Sequence, residues 1–322
     1  MNTTSHLLSR NGDRHVDFPT PSENGASPLA PEMTGQIFEQ VTLSGLKILL
    51  PLPVSVSART LFGQEKLLEN LSTAWAAGLH PSIEGEPGYG KTEAGHQAAR
   101  LHHMDVYTFN GHGEVTPEDL ILTARVADAG RIEYVGSAVL AAVIRGGGAL
   151  VDEIGKIPSR SLSPLASLLD DRRTLCSSLA GINIKAHPDF RFVATLNTAD
   201  RELDPLPGFI DERLRPRFTA GYPEAKHYPS IVQAAVPQAP PELLDAFRDW
   251  MHGRSRSISP RSAITIFRFA ASKMVLAGGS RTKKDALQIL TDLATHVLDA
   301  SAPGRAASQG TNAKPEDEAS PW

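Results

Sequence analysis

Residues 85–92 read GEPGYGKT, a complete G-x-x-x-x-G-K-[ST] pattern. A strand-like run, PSIEG at 81–85, leads into it and a helical pattern at 91–103 leads out. This string constrains the fold more than any other in the chain. It requires a strand, a glycine loop and a helix N-terminus in direct succession, so that backbone N–H groups and the helix dipole converge on phosphate. Gly85, Gly88 and Gly90 remove the Cβ atoms that would obstruct that approach. Lys91 is placed to hold the β- and γ-phosphates and Thr92 to ligate Mg²⁺, while Glu86, Pro87 and Tyr89 complete the loop.

The surrounding pattern supplies the scaffold such a loop needs. In QEKLLENLSTAWAAG, residues Leu67, Leu68, Leu71, Ala74 and Trp75 share a helical face, and Gly78 is a C-terminal stop. Short apolar runs at 106–109, 149–152 and 190–195 read as further strands, with helices at 91–103 and 159–170 between them. Alternating strands and helices predict an α/β fold with a parallel sheet flanked by helices, whose sites lie at the C-terminal strand ends. After residue 222 only helical patterns remain, at 225–235, 240–252, 261–277 and 283–299, and they predict a helical lid subdomain. ILTARV and RIEYV flank ADAG and predict a hairpin insertion near 121–135. The expected organisation is a disordered arm at 1–38, an α/β nucleotide-binding part at 39–222, a lid at 223–300 and a disordered tail at 301–322.

ALVDE at 149–153 completes the site chemistry. A buried strand ends in Asp152, which would hold Mg²⁺ directly or through water, and Glu153, which would orient and deprotonate an attacking water. A carboxylate beside the metal ligand argues for hydrolysis. Other chemistries are not supported. Cys176 is the single cysteine, so neither an intramolecular disulfide nor a multi-cysteine zinc site is available. His102 and His103 are helix neighbours that point apart. The formal net charge of -4 gives no general basic field for nucleic acid. The longest apolar stretch, GLKILLPLPVSV at 45–56, is interrupted by Lys47, Pro51 and Pro53, so a cytoplasmic protein is expected.

Taken together, these motifs resemble an AAA+ ATPase, more narrowly the MoxR and dynein/midasin-related branch. The resemblance rests on FGQEKLLENL (62–71), the phosphate loop, DEIGKIPSRSLSPLASLLDDRR (152–173), AHPDFRFVATLNTADRELDPLPGFIDERLRPRFTAGYP (186–223) and SPRSAITIFRFAASKMVLAGG (259–279). It implies that Asn197 is the sensor positioning the hydrolytic water and that Arg261, in SPR, is the second sensor. Local physics supports the latter. Ser259 and Pro260 are a good N-cap and first helical residue, so Arg261 falls in a first turn whose dipole disfavours a cation unless an anion is near.

The resemblance further implies an ATP- and Mg²⁺-dependent homo-oligomeric ring, a hexamer, that remodels or activates a partner such as a von Willebrand factor A-domain protein. In the resembled family an arginine finger for the neighbouring subunit lies in the segment FIDERLRPRF (209–218). Pro216 predicts that a helix carrying Ile210 to Leu214 ends there, with Arg213 on the helix. Arg217, directly before Phe218, matches the family's RF and is the implied finger, with Arg213 the alternative. The hairpin is either a substrate contact, as in that branch, or a passive surface element. Two departures stand. IGKIP replaces the family's asparagine–arginine pair, and NTADR (197–201) resembles McrB-type GTPases. A nucleotide-driven DNA motor is therefore the alternative, and ATP against GTP stays open.

Overall fold

The apolar run at 191–197 becomes the middle of a five-stranded parallel sheet, a position that only an almost uninterrupted hydrophobic strand can occupy. The computed structural model describes residues 38–298, apart from 44, 56–59, 128–129, 200–204, 253–257 and 277–281. The expected arm and tail lie outside the described residues, except that Phe38 already opens a strand.

The sheet comprises β3 (Ser82–Gly85), β4 (Val106–Asn110), β7 (Gly148–Asp152), β10 (Arg191–Asn197) and β11 (Arg217–Thr219), in the order β11-β3-β10-β7-β4. Alternation sorts its side chains between two cores. Leu150 and Val193 meet Leu71 and Trp75 of α1 (Glu65–Ala76) and Ala94 and Ala98 of α2 (Lys91–Leu101). Ala149, Val151 and Phe192 belong to the core that includes α3 (Ala138–Arg145) and α4 (Ser163–Leu168). The Trp75 indole N–H also donates to the Phe192 carbonyl at 2.9 Å, tying α1 to the middle strand.

A second sheet has the order β1-β2-β6-β5, built from β1 (Phe38–Leu43), β2 (Leu46–Pro51), β5 (Leu122–Val126) and β6 (Ile132–Gly136). The hairpin β5–β6 is thus not a lone excursion, because β6 pairs in parallel with β2. A third pair, β8 (Thr174–Ser177) with β9 (Ile182–Lys185), was not anticipated. The expected helix at 159–170 is a 3₁₀ turn, Ser159–Leu162, followed by the shorter α4.

The helix expected to reach Leu214 ends three residues earlier, since α5 is Gly208–Asp211. The Leu214 carbonyl accepts from the Ser82 hydroxyl at 3.2 Å and the Pro216 carbonyl from the Ser82 N–H at 3.0 Å. The N–H groups of Arg213 and Leu214 both donate to the Ile210 carbonyl, so Arg213 lies in the turn that follows the helix and not on it.

Helices α6 (Tyr228–Ala235), α7 (Pro241–Met251), α8 (Pro260–Leu276) and α9 (Lys283–Leu298) enclose a core of their own around Phe247, Trp250, Phe267 and Leu290. Among the described residues no helix is long and apolar enough to cross a membrane.

Candidate nucleotide site

The loop between β3 and α2 is shaped by its glycines. Gly88 and Gly90 have φ of +90° and +80°, so side chains there would be strained. A Cβ on Gly88 would also stand 2.9 Å from Arg261 Cβ and 3.0 Å from Ser259 Oγ, so the loop and the start of α8 touch. Tyr89 anchors the loop against Tyr222, with ring centroids 4.6 Å apart. Burial pushes the Tyr89 phenol up from its ordinary value.

Lys91 opens α2 and curls back over the loop. Its ammonium donates to the Gly85 carbonyl at 2.8 Å, the Glu86 carbonyl at 3.0 Å and Asn197 Oδ1 at 2.8 Å. Burial holds its pKa below the ordinary lysine value, opposed by Asp152, Glu153 and Glu86. A buried ammonium bonded to two carbonyls and an amide oxygen is well placed to exchange some of those acceptors for phosphate oxygens.

Thr92 Oγ1 donates to Asp152 Oδ1 at 2.8 Å. Thr195 on β10 donates to the same oxygen at 2.5 Å and accepts from the Glu153 N–H at 2.9 Å. A hydroxyl and a carboxylate beside a phosphate loop are hard oxygen donors, few in number. They suit Mg²⁺, which keeps waters and phosphate oxygens in its remaining positions. Thr92 and Asp152 would hold that ion, and it would supply charge neutralisation between phosphates.

Glu153 has a left-handed backbone, φ 55°, directly after β7. Its carboxylate accepts from Lys156 Nζ at 2.6 Å on Oε2 and from Asn197 Nδ2 at 3.2 Å on Oε1. Lys156 foremost, then Asn197, hold its pKa below the usual glutamate value against the effect of burial.

Tyr89, Lys91, Thr92, Asp152, Glu153 and Asn197 face one cavity of about 480 Å³. Its far wall comes from the helical part, with Ile231, Ala235, Arg261, Ile264 and Arg268. Ser259 caps α8 by accepting the Ser262 N–H at 3.1 Å, and this sets Arg261 in the first turn. Pro87 to Thr92, Asp152, Glu153, Asn197 and Arg261 all line the cavity, whereas Gly85 and Glu86 contribute carbonyls to Lys91.

Arg217 is elsewhere. Its register opposite Ser82 places it on the face of Glu84, two residues further along β3. The guanidinium lies 3.1 Å from Glu84 Oε1, also pairs with Asp211, and its side chain is 13% exposed. Within the single chain, the guanidinium expected as the finger ties β3 to α5 through these two carboxylates. Arg213 is 29% exposed, donating to the Phe209 carbonyl at 2.6 Å and meeting Asp170 at 3.5 Å.

Residues 82–218, from the first residue of β3 into β11, match the family described as AAA domain (dynein-related subfamily). This stretch is similar to dynein-related AAA domains. Chaperone MoxR1 of Mycobacterium tuberculosis (strain ATCC 25618 / H37Rv) is 27% identical over 178 residues, 54% of this chain and 45% of that protein. The match thus spans less than half of the relative's length. Among solved structures, RuvB of Thermotoga maritima, described as a Holliday junction branch migration motor, aligns with a TM-score of 0.51 at 19% identity, over 72% of this chain and 69% of that one. NtrX from Brucella abortus aligns with a TM-score of 0.52 at 18% identity, over 77% and 57% respectively. These structures share the fold, a parallel sheet flanked by helices with helices following it.

Some groups of the site carry no motif of their own. Thr195, two residues before Asn197, becomes visible only through the β10–β7 register that sets it beside Asp152 and Glu153. His96, one helical turn after Thr92, lines the cavity and shares a 3.0 Å hydrogen bond with Thr108. Burial lowers its pKa. The i, i+4 spacing from Thr92 was the available signal.

Proposed function

We propose that this protein is a MoxR-like ATPase, a ring-forming hydrolase of ATP to ADP and phosphate that remodels or activates a partner protein. The observation that carries the hydrolase reading is the placement of Glu153 and Asn197 beside Lys91, with Thr92 and Asp152 within one hydrogen bond of each other. In this reading residues 39–222 bind nucleotide and 223–300 form the lid. Lys91 binds the β- and γ-phosphates, Thr92 and Asp152 orient Mg²⁺, Asn197 positions a water and Glu153 takes its proton. Arg261 contacts the γ-phosphate from the lid, and closure excludes bulk water.

The partner role rests on the similarity to a protein named as a chaperone, and a von Willebrand factor A-domain protein is the partner class we propose. The hairpin β5–β6 is the proposed contact. Steady-state hydrolysis by wild type and Glu153→Gln, each with ATP and GTP, tests the reading. Phosphate release by wild type, lost in Glu153→Gln with nucleotide still bound, is expected. Undiminished hydrolysis by Glu153→Gln would remove Glu153 as the base. Release stimulated by DNA and not by protein would favour a DNA motor.

A further inference from the structure

The peptide that leaves β7 joins Asp152 to Glu153, and both of its ends are held by neighbouring strands. Its carbonyl, that of Asp152, accepts from the Gly111 N–H at 2.7 Å, in the loop that follows β4. Its N–H, that of Glu153, donates to Thr195 Oγ1 at 2.9 Å, on β10. A trans peptide points these two groups in opposite directions, so the strands on either side of β7 fix its plane. Glu153 itself is left-handed, with φ 55°. A residue other than glycine holds that conformation only where its surroundings impose it.

The same hydroxyl reaches the Asp152 carboxylate. Leu150 and Val193 belong to the core beneath α2, so Asp152 and Thr195, each two residues further along its strand, emerge on that face. Register sets them side by side, one step beyond the pair Ala194 and Val151. Thr195 is fully buried. With a lone pair committed to the Glu153 N–H, its proton goes to Asp152 Oδ1 at 2.5 Å. Thr92 donates to that oxygen as well, so Oδ2 is the oxygen left to the cavity that Asp152 lines.

We infer that Thr195 is a positioning residue whose one hydroxyl sets both functional carboxylates: it orients Asp152 toward Mg²⁺ and fixes the backbone from which Glu153 reaches its water. The inference rests on the hydrolase reading and adds to it a residue that does not line the nucleotide cavity. Because the hydroxyl is buried, water does not replace it. A methyl in its place would leave the Glu153 N–H without its acceptor and Asp152 Oδ1 without one of its two donors. The carboxylate could then turn, and the peptide plane would be held from the β4 side alone.

The test uses the full chain and compares wild type, Thr195→Val and Thr195→Ser. Isothermal titration measures ATP affinity in chelator and across a Mg²⁺ series, and steady-state hydrolysis is followed over the same series. Thr195→Val keeps the branched shape and removes the hydroxyl. It is expected to bind ATP as wild type does in chelator and to need about 10- to 100-fold more Mg²⁺ for the metal-dependent gain. At saturating Mg²⁺ its kcat should stay about tenfold or more below wild type. The first change reads Asp152 and the second Glu153. Thr195→Ser keeps the hydroxyl and should return both toward wild type. A packing role would follow the methyl instead, and Thr195→Ser would then be no better than Thr195→Val, which overturns the inference. So does a Thr195→Val protein with the wild-type Mg²⁺ requirement and kcat. A change in one readout alone overturns the claim that one hydroxyl sets both carboxylates. If Thr195→Val does not fold, Thr195→Ala is read by the same criteria. Wild type that hydrolyses no nucleotide overturns the hydrolase reading and the Glu153 half of the inference, and the Mg²⁺ requirement of binding then decides the Asp152 half.

Discussion

His80, just before β3, shows how a single side chain sets a pH limit on this fold. Its ring packs against Phe190 and Phe192, with centroids 6.4 and 6.3 Å away, and its Nδ1 is buried without a hydrogen-bond partner among the described residues. Burial first, then repulsion from Arg173 and Arg191, pushes its pKa down to about 4 from 6.5. The native state thus takes up this proton only near pH 4, whereas the unfolded chain takes it up near 6.5. Stability from the neutral ring is fully present above pH 6.5 and is lost as pH falls toward 4. At pH 5 the loss is about 2 kcal/mol, from roughly 1.4 kcal/mol per unit. Urea unfolding of wild type and His80→Leu at pH 7.5 and pH 5 isolates the term, because the carboxylates contribute alike to both proteins. The stability difference between the two should shift toward the variant by about that amount on acidification. A pH-independent difference would mean that the ring is hydrated or already paired.

At the scale of elements, the contact between the phosphate loop and the first turn of α8 joins the two parts of the cavity. Gly88 permits it, because its φ of +90° and the 2.9 Å approach of Arg261 Cβ both exclude a side chain. Gly88→Ala is expected to weaken nucleotide binding on the order of tenfold, from about 1–2 kcal/mol of backbone strain together with a displaced Arg261. Arg261→Ala removes the cation without the strain, so it separates the two causes. Isothermal titration of both variants measures this, and wild-type affinity in Gly88→Ala would show that the loop and lid move independently.

This junction also shows what could be read from the sequence. The phosphate loop, Asp152-Glu153 and the Ser259-Pro260-Arg261 start are contiguous strings whose chemistry is local, and they were legible. Thr195 was not, because its role comes from the register between β10 and β7. The second sheet was legible only as a hairpin signal, since the pairing of β6 with β2 joins segments far apart in sequence. The end of α5 was misplaced because Pro216 was taken as its stop, whereas the demand for extended backbone comes from Ser82, across the sheet.

For the whole molecule the question is whether one chain contains a complete site. Lys91, Thr92, Asp152, Glu153, Asn197 and Arg261 all come from the same chain, and each lines the cavity. Arg213, Arg215 and Arg217 do not line it. Arg217 in its observed position ties Glu84 of β3 to Asp211 of α5. To act as a finger it would have to leave two carboxylates, whereas Arg213 would leave one ion pair at 3.5 Å and a carbonyl. These positions make different predictions. If Arg217 serves the neighbour, Arg217→Ala should lose hydrolysis by about 10³-fold or more with binding spared, and mixing it with Glu153→Gln should restore activity at mixed interfaces. If Arg217 is only a tie, its removal should lower the melting temperature and leave part of the hydrolysis. Arg213→Ala should then be the variant that is inactive alone and rescued by Glu153→Gln. Mixing the three variants in pairs, with electron microscopy of each in a non-hydrolysable ATP analogue, reads both the ring and the finger. Failure of every pair to complement would mean that hydrolysis does not cross subunits and that the 213–217 arginines serve their own chain.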